Sequence, residues 1–179
     1  FKISQQAISQ AEKLINRLKS YAYSKSLAEV KPFSMSSTLH SSLDLLESKM
    51  KNVRCEIDIQ SSLPDVMGQS DEVLQVINNL LVNALQAMNY HGKLKIQLAG
   101  GDKKQQLVIE DTGGGVSTKN DEDVFEAFFT TKDKGEGTGL GLHICRQIIE
   151  KHKGSINWTN TQHGARFIVT LPTHLLVAY

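Results

Sequence analysis

Long apolar runs are missing from this chain of 179 residues. No stretch approaches the ~20 consecutive apolar residues that a bilayer-crossing helix requires. Any membrane attachment is therefore expected only through regions upstream of the chain. An excess of charge of one sign is missing too. Lysine and arginine number 20 against 19 acids, and the signs are well mixed. A nucleic-acid partner thus gains no electrostatic support. Cysteine is scarce: Cys55 alternates with Val53, Ile57 and Ile59, and Cys145 sits beside Ile144 and Ile148. Both read as small core residues, with no disulfide framework, and the setting expected is reduced and cytoplasmic. There is no signal-peptide pattern and no internal repeat. The chain opens on Phe1, with neither methionine nor helix cap before it, and reads as a fragment of a longer protein.

What is present suffices for one packed domain and an appended element. Residues 1 to 27 carry Ala7, Ala11, Leu14, Leu18 and Tyr21 at alternating four- and three-residue spacing. That narrow seam predicts a helix of a dimerising bundle, the other reading being an amphipathic helix lying on its own domain. A linker is expected around "EVKPF", where Pro32 disfavours helix in its neighbour. The main domain should span 32–173, with a tail at 174–179. Within it, "SSTLHSSLDLLESKM" predicts a serine-capped helix with Leu39, Leu43, Leu46 and Met50 on one face. "VRCEIDIQ" predicts a strand with one buried face. Residues 70–89 predict a long helix opened by Ser70 or Asp71. "KLKIQLAG" and "QQLVIEDTG" predict strands joined by a "GDKK" hairpin. A helix from about 139 to 153 and strands "SINWTN" and "RFIVTLP" complete an α+β pattern. Residues 116–138 are too long for an ordinary connection and read as disordered or as a functional lid.

Chemistry gathers in four segments. On the 70–89 helix, Val73, Ile77, Leu80, Leu81, Ala84 and Met88 form a core face. Glu72, Gln75, Asn79, Asn83 and Gln86 share another. Such a stripe can be an ordinary solvated face, but amides are also neutral ligands and hydrogen-bond partners. "EDTGGGV" places Asp111 at a strand end, where a carboxylate can accept from an exocyclic amine. The glycines after it, Gly113 to Gly115, let a flat ring approach the backbone, although a plain turn reads the same way. "VFEAFFTTKDK" suggests a lid anchored by Phe125, Phe128 and Phe129, with Lys132 and Lys134 available to phosphates. A misread surface helix is the plainer alternative. "GEGTGLGL" puts glycines before a helix start, a cradle for phosphate. It lacks the G-K-[ST] ending of a Walker A loop and the strand that would precede a Rossmann loop.

The order "NLLVNA", "DTGGG", "FEAFFTTK", "GEGTGLGL" resembles the N box, first glycine box, F box and second glycine box of bacterial sensor histidine kinases. The resemblance covers residues 33 to 173. It implies a Bergerat-type two-layer α+β sandwich, a mixed sheet backed by three helices, with ATP under a mobile lid. By match to the boxes, Asn83 is the expected Mg²⁺ ligand and Asn79 its helper near metal or phosphate. Asp111 is the expected adenine reader, with Gly113 and Gly115 shaping its pocket. The F box adds Phe128, Thr131 and Lys132, the last in a catalytic role with the two asparagines. Gly137, Thr138, Gly139, Leu140 and Gly141 fall where the family holds phosphates. The leading helix, with its closing "RLKSYA", resembles the second helix of the family's dimerisation and phosphotransfer hairpin. That implies a homodimer, and a response regulator receiver domain as partner.

One feature of the family is missing. Its phosphoacceptor histidine usually precedes an acid, whereas the six histidines here precede Ser41, Gly92, Ile144, Lys153, Gly164 and Leu175. His40 reads as a half-buried surface residue of the first domain helix, and the acceptor is expected upstream. Hydrolytic relatives such as gyrase, Hsp90 and MutL proteins carry a water-activating glutamate one turn before the metal-binding asparagine. Asn79 stands there, and an amide is a poor base. A non-enzymatic nucleotide-sensing module and a serine-directed kinase of the anti-sigma-factor type are the other readings. Intact boxes argue against the first, and the coiled-coil helix against the second.

Overall fold

The computed structural model describes residues 29–117, 123–131 and 137–173. The expected helix over 1–27 and the tail at 174–179 lie outside the described residues. Five strands form the main sheet: β2 (Val53–Ile59), β4 (Gly92–Gly100), β5 (Lys104–Glu110), β6 (Ser155–Asn160) and β7 (Ala165–Pro172). Their order is β2-β4-β5-β7-β6. Three helices cover one face: α1 (Met35–Leu46), α2 (Ser70–Ala87) and α3 (Gly141–Lys151). The arrangement is a two-layer α+β sandwich with a mixed sheet. Among the described residues only β2 and β4 pair in parallel, with α2 between them in sequence as the crossover a parallel pair needs. β4, β5, β7 and β6 pair antiparallel.

Periodicity decides the layers. Along β4, Leu94, Ile96 and Leu98 are buried while Lys93, Lys95 and Ala99 are exposed. Leu107 and Ile109 on β5 and Phe167, Val169 and Leu171 on β7 continue the same buried face. On α2, Val73, Ile77, Leu80, Leu81, Ala84 and Met88 meet it, as their spacing predicts. From α3, Ile144, Ile148 and Ile149 join, and Cys145 is fully buried among them. α1 begins with Ser34 as its cap, the hydroxyl accepting from the Ser37 N–H at 3.2 Å.

Several elements differ from the sequence reading. "KPF" is not a linker but the short strand β1 (Lys31–Phe33), paired antiparallel with β3 (Val66–Gly68) in a separate two-stranded sheet. Such a marginal ribbon tolerates Pro32, because its N–H-less face needs no partner. β2 is an edge strand, so the helical layer stops short of it: Ile57 is exposed and Cys55 half-buried. α2 begins at Ser70, one of the two expected openings, but neither Ser70 nor Asp71 is its cap. Gln69 is its cap and makes no side-chain capping bond. Instead the Gln69 N–H donates to His152 Nε2 at 3.0 Å, while His152 Nδ1 donates to the Ile148 carbonyl at 2.8 Å. In this arrangement Nε2 is the acceptor and Nδ1 the donor. A Cβ on Gly68 would come within 2.3 Å of this buried ring, so only glycine fits there. His40 is exposed rather than half-buried.

The two faces of α2 should respond differently to truncation. Leu80→Ala should lower the unfolding free energy by about 2–5 kcal/mol, the usual cost of a cavity in a packed core. Gln75→Ala, on the partly exposed face, should stay within about 0.5 kcal/mol. Urea melts of the two variants check this, and equal losses would contradict the assignment of the core face.

Candidate nucleotide site

One open cavity gathers residues from five parts of the chain. The C-terminal half of α2 contributes Asn79, Asn83 and Gln86. The end of β5 contributes Asp111, and the segment after it Gly115 and Val116. The stretch before α3 supplies Phe129, Thr130 and Thr131, then Gly137, Thr138, Gly139 and Gly141. Ala165 and Phe167 of β7 close the wall. Lys132 lies outside the described residues, as does Lys134.

Asp111 is the buried charge of this cavity, only 3% exposed. Its Oδ1 accepts from the Gly113 N–H at 2.8 Å and the Ala165 N–H at 3.3 Å. Its own N–H donates to the Ala165 carbonyl at 3.0 Å. Burial pushes the carboxyl above the ordinary aspartate range, the two N–H donors pull the other way, and Glu110 adds to the rise. With both donors on Oδ1, Oδ2 is the oxygen left to meet a ligand's donor.

The glycines divide by what surrounds them. A Cβ on Gly113 would lie 2.6 Å from the backbone of Ala87, and one on Gly115 2.6 Å from Asn160 Oδ1. The close packing of α2 and the β6 end therefore demands both glycines. Gly113 is not part of the cavity wall, contrary to the expectation that it shapes the pocket directly, whereas Gly115 is. Gly139, at φ +65°, passes so close to Phe128 that a Cβ would sit 2.2 Å from its carbonyl carbon. Gly141 is different. Nothing lies within 4 Å of where its Cβ would be. The protein does not require glycine there, so the bare position fits an approaching ligand.

Phe128 departs from the expectation. It adopts φ +70°, an unusual conformation for an aromatic residue, and its N–H donates to the Gly139 carbonyl at 3.0 Å. Its ring is 72% exposed and forms no part of the cavity, a place taken by Phe129. Phe125 is a core residue, with the Arg146 guanidinium 4.3 Å from its ring centroid. Leu140 is likewise buried in the core and caps α3 through its backbone alone. Among the described residues no side chain caps α3, and no acid occupies its first turn. Its leading N–H groups and positive dipole end are a setting that suits an anion.

The polar stripe of α2 is split. Glu72 and Gln75 lie short of the cavity, and Glu72 pairs with Lys151 at 2.7 Å. Behind this stripe the Cys145 thiol of α3 donates to the Val76 carbonyl of α2 at 3.9 Å. Burial pushes that thiol up to about 12, so it stays protonated. Among the described residues no cluster of three His, Cys, Asp or Glu side chains could hold a metal alone. The polar side chains that α2 brings to the cavity, Asn79, Asn83 and Gln86, are neutral amides. Sequence reasoning missed Ala165, Gly164 and Asn160. The small pair Gly164–Ala165 inside the polar run "NTQHGARF" was the available signal. A Cβ on Gly164 would lie 2.1 Å from the Asp111 carbonyl oxygen.

A buried carboxylate at one end, an uncapped glycine-rich helix start at the other and amides between them describe a nucleotide site. Residues 68–175 match the family of histidine kinase-, DNA gyrase B- and HSP90-like ATPases, and the chain belongs to that family. Its relatives place it among the sensor histidine kinases. The catalytic domain of histidine kinase ThkA superposes with a TM-score of 0.74 at 30% identity, covering 81% of this chain and 98% of that one. ThkA in complex with the response regulator TrrA gives a TM-score of 0.77 at 26% identity, covering 96% and 50%. Sensor histidine kinase ZraS of Escherichia coli O157:H7 is 30% identical over 144 residues, 79% of this chain and 31% of that protein. The chain thus spans about a third of the length of the curated relatives it matches. Membership of this ATPase family makes ATP the expected ligand of the cavity.

Asp111→Asn separates the carboxylate's two roles. The amide keeps Oδ1 as acceptor for Gly113 and Ala165 but replaces the second oxygen with a donor. Adenine-nucleotide affinity should fall by about 1–3 kcal/mol, the cost of an unpaired buried group. A carboxyl whose folded pKa is raised adds stability below its ordinary range and loses it as pH rises through the raised value. The wild type should therefore lose stability across that interval and Asp111→Asn should not. Calorimetric titration and melting curves from pH 3 to 8 test both parts, and unchanged nucleotide affinity would contradict the placement.

Proposed function

We propose that this chain is the catalytic core of a sensor histidine kinase. In this reading it binds Mg²⁺·ATP and delivers the γ-phosphoryl group to a histidine on another helix, for relay to a response regulator aspartate. The observation that carries the reading is the one cavity joining Asp111, the amides of α2 and the uncapped start of α3. Asp111 Oδ2 accepts from the exocyclic amine of adenine. Gly137, Thr138, Gly139 and Gly141 present backbone N–H groups to the phosphates, with Thr131 and Lys132 on the lid side. Asn83, with Asn79 beside it, would hold Mg²⁺, which neutralises phosphate charge when bound. Phosphoryl transfer depends on positioning and charge neutralisation more than on covalent help, and these residues supply both.

Hydrolysis is the second reading, open to any member of an ATPase family. It needs a base for water, and Asn79 occupies the position one turn before Asn83 with a group that cannot take a proton. Partners follow from the kinase reading. The seam over residues 1–27 would pair two subunits, and ThkA's complex with TrrA supports a receiver domain as the phosphoryl acceptor. Domain limits of 1–31, 32–173 and 174–179 belong to the same proposal.

Incubation with γ-labelled ATP tests it. The chain should bind nucleotide without labelling itself, since none of its six histidines precedes an acid. It should label an added acceptor helix with acid-labile, base-stable phosphate. Asn83→Ala should abolish the Mg²⁺-dependent part of ATP binding while leaving the melting curve unchanged. Steady ATP hydrolysis without acceptor labelling would favour the ATPase reading, and stable self-labelling mapped to His40 would overturn the missing acceptor.

A further inference from the structure

Asn160, the last residue of β6, belongs to none of the nucleotide motifs and does not line the cavity. Its side-chain amide nevertheless grips the backbone of a residue that does. Asn160 Oδ1 accepts from the Val116 N–H at 2.8 Å, and Asn160 Nδ2 donates to the Val116 carbonyl at 3.0 Å. The pair copies the two-bond exchange of opposed strand residues, with a side chain in place of a strand. The contact is close enough to exclude any side chain at Gly115, which sits at φ +82°. Val116 and Gly115 both line the cavity with Asp111, and Val116 begins the long segment that leads to Phe129 and Thr131.

We infer that Asn160 is a positioning residue for nucleotide binding: by clamping Val116 it fixes the cavity wall beside Asp111. The inference rests on the nucleotide-binding reading above and adds a residue to it. The Gly113 N–H is held by Asp111 Oδ1, and the clamp on Val116 secures the far end of the Gly113–Gly115 run. Gly114 also adopts a positive φ and is open to solvent, held at its N–H by the His163 carbonyl at 2.9 Å. Three successive glycines lose more conformational freedom on ordering than any other tripeptide, so a bidentate anchor at their end matters. Asn160 is itself exposed, so removing its amide should alter site order more than global stability.

The test compares Asn160→Ala with Asn157→Ala, an exposed neighbour on the same strand. Three readouts are used: melting temperature, amide exchange at Val116 without nucleotide, and calorimetric affinity for ATP and ADP. Asn160→Ala should speed exchange at Val116 and weaken ATP and ADP by the same factor, about five- to tenfold, the equivalent of one hydrogen bond. Equal factors are expected because the clamp lies on the Asp111 side of the cavity rather than at the helix start that receives phosphates. Asn157→Ala should change neither property, and both melting temperatures should stay near wild type. Faster exchange with unchanged affinity would overturn the inference, as would a loss in affinity that tracks a fall in melting temperature. A wild-type chain that binds neither nucleotide would instead overturn the function on which the inference rests.

Discussion

The site depends on one buried carboxylate oxygen. Asp111 Oδ1 accepts two backbone N–H groups from segments far apart in sequence, Gly113 just beyond β5 and Ala165 at the start of β7. A buried charge is costly unless hydrogen-bonded, so this oxygen brings the glycine run and the β6–β7 connection together. The neighbours conform to it. Gly164 cannot carry a side chain because the Asp111 backbone lies against it, and Gly113 cannot because α2 does. The carboxylate thus fixes the wall of the cavity through one oxygen and leaves the other for a ligand. Its raised pKa records the cost of holding it there.

A second constraint acts at the opposite end. α3 begins without a capping side chain, and Gly139 and Phe128 are locked backbone to backbone, both at positive φ. This places Phe129 in the cavity wall and turns Phe128 to solvent. The helix start stays open where a Cβ at Gly141 would meet nothing. α2 connects the two ends. Its apolar face is committed to the core, and its amides from Asn79 to Gln86 face the cavity. Cys145, reaching across from α3, ties α2 into this frame through the Val76 carbonyl.

Much of the architecture is legible because it follows from periodicity. The strands of the hairpin, the core face of α2 and the burial of Cys145 all derive from alternation or helical spacing. The motif order pointed to a nucleotide site, and the structure brings Asn79, Asn83, Asp111, Gly115, Thr131, Gly137, Thr138, Gly139 and Gly141 into one cavity. What was not legible depends on tertiary neighbours. The exposure of Ile57 comes from the edge position of β2, a property of strand order rather than of the strand. Gln69 as the cap of α2 depends on His152, far along the chain. Gly113 looks like a ligand-facing glycine until Ala87 is seen against it. Phe128 and Phe129 are chemically equivalent in sequence, and only the backbone turn at Phe128 decides which enters the wall. Asn160 has no local signature, because its partner Val116 lies across the hairpin.

The central claim is that the free oxygen of Asp111 selects the base of the nucleotide. Adenine offers an exocyclic amine at the position where guanine presents a carbonyl, which a carboxylate repels. Parallel calorimetric titration of the wild-type chain with Mg²⁺·ATP and Mg²⁺·GTP tests this most directly, because the two share every phosphate contact. The account predicts clear binding of ATP and markedly weaker binding of GTP. Equal affinities would mean that the phosphate cradle alone holds the ligand, and would contradict the role given to Asp111.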